Sequence, residues 1–137
     1  MNERSLEVVS RATWRAPALN LAMTRVAYDV QLADRIRARL SEIPGVSEQK
    51  MFGGLAFLVN GHMAIAASAK GGVMVRVDPK RSDRLIATTP AELVVMRGRS
   101  MPGWLRVQSR DVRTARQLGK WIERSVGYTL TLTPKRR

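Results

Sequence analysis

The sequence predicts an α+β domain in which an antiparallel sheet is packed by helices, with the elements in the order α-βββ-α-ββ-α. Three observations predict it. Residues 50–63, KMFGGLAFLVNGHM, join a glycine pair to an unbroken apolar run that ends at Asn60-Gly61, the strongest short hairpin signal. Residues 73–77 alternate valine with Met74 and Arg76, as a half-buried strand does. Stretches of helical periodicity lie on either side, near residues 29–42 and 111–126.

Asp29 is a plausible N-cap for the first helix, which carries Leu32, Ala33, Ile36 and Leu40 on one side and ends before Pro44-Gly45. Asp34 and Glu42, together with Arg35 and Arg39, read as exposed ion pairs on that helix. Gly53 and Gly54 mark a bend or a close backbone approach. A two-residue turn at Asn60-Gly61 pairs Val59 with His62, Leu58 with Met63, Phe57 with Ala64, Ala56 with Ile65 and Leu55 with Ala66. Large side chains then mostly face small ones. Both faces of the first strand are apolar, which predicts a central strand covered on both sides.

Residues 69–72, AKGG, turn the chain into the third strand. Asp78 caps a short helix with Pro79 at its first position, Leu85 and Ile86 reach inward, and Thr88-Thr89-Pro90 breaks it. Two short strands follow, 93–96 and 104–107, joined by a loop over 97–103. Asp111 is expected to cap the long last helix, which runs to about Val126 with Gly127 at its stop. Thr129, Thr131 and Thr133 alternate with leucines before the basic ending Pro134-Lys135-Arg136-Arg137, a frayed basic tail over 129–137 or an added edge strand. No internal repeat is present.

Several of these segments resemble one family. They are MFGG at 51–54, the apolar strand after it, the Asn60-Gly61 turn with Met63 two residues on, VRVD at 75–78 and RGRSMPGWLRV at 97–107. Together they are similar to the N-terminal domain of the TfoX/Sxy competence regulators over residues 27–127. The fold motif is carried by Met51, Phe52, Gly53, Gly54, Asn60 and Gly61. The resemblance implies a secretion-chaperone-like α-βββ-α-ββ-α domain, often dimeric. Two-domain members act as bacterial transcriptional coactivators of DNA-uptake genes and carry a second, helical domain. A stand-alone form without that C-terminal domain is the expectation here.

A chain of 137 residues that is 45% hydrophobic can bury a single core without staples. With no cysteine, a disulfide framework, a thiol nucleophile and a thiolate metal site are excluded, which fits a reducing cytoplasm. No run approaches the apolar length of a membrane span. Residues 1–22 lack the apolar core of a secretory signal and read as a leader or a mis-assigned start, with translation beginning at Met23. The alternative docks Val8, Val9, Trp14 and Leu19 on the core. The domain proper is then 23–128. Three arginines and two glutamates lie in residues 1–22, so +12 of the net +13 sits on residues 23–137. Such an excess attracts polyanions.

On the last helix Arg113, Arg116, Lys120 and Arg124 fall on one stripe, with Gln117 beside them and Ala115, Leu118, Ile122 and Val126 opposite. Four cations in register suit the phosphates of a duplex, although a solvated charged face has the same pattern. Arg97, Arg99 and Arg106 flank the 97–103 loop, where guanidinium groups suit phosphate or carboxylate. Trp104 reads either as core or as a base-stacking ring. Arg76, Lys80, Arg81 and Arg84 add charge near the middle helix.

Neither a Walker loop nor a dinucleotide fingerprint is present. His62 is the single histidine, and the methionines sit where strands need apolar filler, so no metal and no cofactor are expected. No nucleophile stands beside a base, and no enzymatic activity is expected. The sequence therefore reads as a non-catalytic, cytoplasmic, transcription-linked module. Its partner is DNA or a DNA-bound transcription regulator, with no membrane contact and no small-molecule substrate identified. The alternative is a homodimeric protein-interaction or chaperone-like module with no nucleic-acid role.

Overall fold

The computed structural model describes residues 28–135. The leader, the Met23 start and the docking of Val8, Val9, Trp14 and Leu19 lie outside the described residues. The architecture is α+β. Helix α1 (Val30–Leu40) is followed by strands β1 (Val46–Met51), β2 (Gly54–Val59), β3 (His62–Ala67) and β4 (Val73–Arg76). A 3-10 turn (Pro79–Arg81) leads into α2 (Ser82–Thr88), then β5 (Glu92–Met96), β6 (Arg99–Val107), a second 3-10 turn (Ser109–Asp111) and α3 (Ala115–Thr129). The six strands form one antiparallel sheet in the order β1-β2-β3-β4-β6-β5.

Helix α1 forms where its signals lie: the Asp29 carboxylate accepts from Leu32 N at 3.1 Å, and Leu32, Ala33, Ile36 and Leu40 are buried. One strand exceeds the expected order. β1 has the sequence VSEQKM, with its four middle residues exposed, so it shows no alternation of apolar and polar positions. It pairs with β2 through a two-residue turn at Phe52 (φ 52°) and Gly53 (φ 79°). This places β2 inside the sheet. Gly54 serves as a close approach, because a Cβ there would collide with the Ala67 carbonyl oxygen.

Asn60 (φ 53°) and Gly61 (φ 87°) both adopt left-handed backbone, the type I′ geometry that matches strand twist. The first two pairs, Val59 with His62 and Leu58 with Met63, are those expected. Beyond them a β-bulge shifts the register, so that Phe57 faces Ile65, Ala56 faces Ala66 and Leu55 faces Ala67. The expected pairings Phe57-Ala64, Ala56-Ile65 and Leu55-Ala66 are thus corrected. The cause is burial: with the extra residue, Ala64, Ile65 and Ala67 all join the core beneath the helices, while Met63 and Ala66 turn to the other face.

Arg97 (φ 53°) and Gly98 (φ 76°) make a third two-residue turn, so the expected 97–103 loop is instead the start of the nine-residue β6. The register passes from Leu93 opposite Leu105 to Val95 opposite Ser100, leaving residues 101–104 against Val94. Pro102 falls in that irregular stretch, where its missing N–H breaks no regular ladder.

Asp111 does not cap the last helix. It lies in a 3-10 turn, and Thr114 is the N-cap, in a capping box with Gln117: Gln117 N donates to Thr114 Oγ1 and Thr114 N to Gln117 Oε1, both at 3.0 Å. Nor does Gly127 stop the helix. The helix runs on to Thr129, which is buried with its hydroxyl donating to Ser125 O at 2.9 Å, and carbonyls of the last turn accept from Leu130 N, Thr131 N and Leu132 N. Residues 130–135 form no strand. Lys135 N donates to Asn60 O at 2.9 Å, and His62 Nε2 donates to Thr133 O at 2.6 Å, fastening this segment to the β2–β3 turn.

α3 lies across β3 and β4, with α1 beside it. Phe57, Val59, Ile65, Val75 and Leu105 from the sheet meet Ile36, Leu118 and Trp121 from the helices in the main core. The opposite face carries no helix among the described residues. There a smaller cluster gathers Ala56, Met63 and Ala66, with Met51, Leu58, Met74 and Trp104 partly buried around it. β2 is therefore apolar on both faces, but the helices cover only one.

Candidate functional site

Helical spacing sets the basic residues of α3. Leu118, Trp121, Ile122, Ser125, Val126 and Thr129 are buried, and Arg116, Lys120 and Arg124, four residues apart, project from a neighbouring stripe. All three line one groove of about 260 Å³, whose other wall is the end of α2 and the following turn, Thr88-Thr89-Pro90. The guanidinium of Arg124 lies over the Trp121 ring, 4.5 Å from its centroid, and is held at the groove by that stacking. Asp111 lines the groove too and offsets part of the charge. Among the described residues none of these three cations is in an ion pair.

Arg113 does not join them. It precedes the Thr114 cap, so it is not on the helix, and it lies outside the groove lining. Its carbonyl accepts from Arg35 Nη2 at 3.0 Å, as does that of Val112. Arg39 similarly donates to Ala115 O at 2.9 Å. Arg35 and Arg39, expected in exposed ion pairs, instead bind α1 to the start of α3, and it is Arg37 that pairs with Asp34. Gly119 gives Arg39 room, since a Cβ there would press on its guanidinium.

Arg97 and Arg99 stand exposed at the β5–β6 turn and do not line the α3 groove. Arg106 donates to Ser68 Oγ at 3.2 Å and shares a surface hollow with Lys70 and Arg110, a second basic patch that the sequence separates by up to forty positions. Trp104 lies on the open face of the sheet, partly buried, with the Arg76 guanidinium 5.1 Å from its centroid.

The open face holds a feature that the sequence reading missed. Alternation along the strands turns Met51, Leu58, Met63, Met74 and Trp104 to this side, and they surround a cavity of about 420 Å³. The methionines read in sequence as apolar filler for strands and Trp104 as core or a base-stacking ring; no local signal marks a cavity. Among the described residues no group of three or more His, Cys, Asp or Glu could hold a metal ion. No helix of those residues is long and apolar enough to cross a membrane.

The family model described as the TfoX N-terminal domain matches residues 38–128. No curated protein and no solved structure matches the chain.

Proposed function

Because this chain belongs to the TfoX N-terminal domain family, we propose that it is a non-catalytic, transcription-linked regulatory module whose basic surface contacts DNA or a DNA-bound regulator. The observation that carries the reading is the α3 groove, where Arg116, Lys120 and Arg124 converge with no ion pair to acids among the described residues. Cations spaced along one helix match the repeating charge of a phosphate backbone, and such contacts give affinity without sequence preference. Arg97 and Arg99 act as a separate, supporting contact from the β5–β6 turn.

The test is fluorescence anisotropy of the full chain against a random 20-base-pair duplex over a range of salt. For three phosphate contacts the logarithmic salt slope is about −2.7, so a fourfold rise in salt weakens binding roughly 40-fold. Arg116→Glu/Lys120→Glu is expected to remove most of the affinity. Absence of binding at low salt overturns the reading.

A second reading, a homodimeric protein-interaction module, is favoured by β5. Among the described residues this edge strand pairs only with β6, and it exposes Val95 (61%) and Met96 (38%). Apolar side chains on an unpaired edge invite a second strand. Sedimentation at two concentrations tests it, with Val95→Lys expected to dissociate any dimer formed this way.

A further inference from the structure

We infer that the cavity on the open face of the sheet binds a small amphipathic anion, a medium-chain carboxylate. Its chain would lie among the thioethers and its head group on Arg76. This assignment goes beyond the regulatory reading and is independent of the α3 groove.

The shape of the site follows from the sheet. Met51 and Phe52 come from one edge, β1 and its turn, while Val94 and Met96 come from the other edge, β5, and all line the same cavity. The six strands therefore curl around it, as accumulated strand twist makes a sheet do. Its volume of about 420 Å³ lies in the range of sites that enclose small organic ligands. Methionine dominates the lining, and flexible, polarisable thioethers adapt to an alkyl chain of variable length.

Charge selects the head group. The described lining residues include Arg76 and Lys135 and no acid. Arg76 lies against two rings, with Trp104 at 5.1 Å and Tyr128 at 5.7 Å. Aromatic rings take up none of the guanidinium's N–H donors in conventional hydrogen bonds, and those donors suit a planar carboxylate. Among the described residues, no ion pair includes Arg76 and no hydrogen bond engages its side chain. Lys135 is brought to the rim by its backbone bond to Asn60 O.

Phe52 forms the lip. It is 76% exposed and holds a left-handed φ of 52°, a backbone state that disfavours a bulky side chain. An aromatic ring kept exposed at the mouth of an apolar cavity gains cover when an alkyl chain enters.

The experiment titrates the full chain with octanoate, nonanoate and decanoate below their micellar concentrations, by calorimetry and by tryptophan fluorescence. Expected are saturable one-to-one binding, affinity rising about fourfold per added methylene, and a fluorescence response lost in Trp104→Phe. Arg76→Gln should weaken decanoate about tenfold and leave decanol binding unchanged, with the circular dichroism spectrum intact. Equal affinity for decyltrimethylammonium, or decanoate binding unaffected by Arg76→Gln, overturns the proposal. So does a dimer in sedimentation that takes up no decanoate, since a second copy then occupies the face.

Discussion

Arg37 holds both carboxylate oxygens of Glu48, through Nε to Oε2 and through Nη2 to Oε1 at 2.9 Å, and so ties helix α1 to the edge strand β1. Its remaining Nη1 reaches Asp34 Oδ1 at 2.6 Å. The hydrogen bond from Arg37 holds the Glu48 carboxyl below its ordinary value of 4.5, and Arg37 is raised in turn by the same bond. A carboxylate with a depressed value stabilises the fold fully above its unfolded value and loses that contribution as pH falls through the folded one. Because the pair is exposed, Glu48→Gln is expected to cost under about 1 kcal/mol at neutral pH. Thermal unfolding at pH 7 and at pH 3 checks this: the gap between variant and parent should narrow as pH falls below 4.5.

The bulged register makes Phe57 and Ile65 direct partners, both fully buried. Phe57→Ala is expected to cost about 3–5 kcal/mol and Ile65→Val about 1 kcal/mol, by lost transfer energy and cavity formation. Urea denaturation gives both values. A loss at Phe57 under about 1 kcal/mol would mean that this ring does not anchor the core.

The start of α3 rests on Thr114. Thr114→Ala removes the acceptor for Gln117 N and should lower stability by about 1 kcal/mol. Asp111→Ala, in the preceding 3-10 turn, should stay within about 0.5 kcal/mol. Equal losses in chemical denaturation would return the cap to Asp111.

Two turn positions should respond in opposite directions. Gly54→Ala drives a Cβ into the Ala67 carbonyl and should destabilise by about 1–3 kcal/mol. Phe52→Gly relieves a left-handed φ at an exposed site and should stabilise by about 1 kcal/mol. Melting temperatures of the two variants settle the signs.

If the α3 groove meets a duplex, charge reversal should act by position. Arg124→Glu should weaken binding as strongly as Arg116→Glu, since both line the groove with Lys120. Arg113→Glu, placed before the cap, should weaken it less. Anisotropy at one fixed salt concentration ranks the three.

Local chemistry was legible wherever one short segment contained its own cause. The Asp29 cap, the Asn60-Gly61 turn, the apolar stripe of α1 and the i,i+4 spacing of Arg116, Lys120 and Arg124 depend on neighbours within a few residues. The Arg97-Gly98 turn was less legible, because an arginine at positive φ has no propensity to announce it. Arg113 falls on the stripe only for a helix that begins at Asp111, and with Thr114 as the cap its spacing carries no helical meaning.

By itself, then, the sequence determined the α+β class, the family resemblance, most element positions and the excess of positive charge. Tertiary structure alone decided four things: the bulge that turns Ile65 inward, the pairing of the polar strand β1, the second wall of the α3 groove and the closure of both sheet edges around one cavity. Each depends on residues distant in the chain competing to bury apolar surface. That competition leaves no periodic trace, since the same side chains satisfy more than one local pattern until packing selects between them.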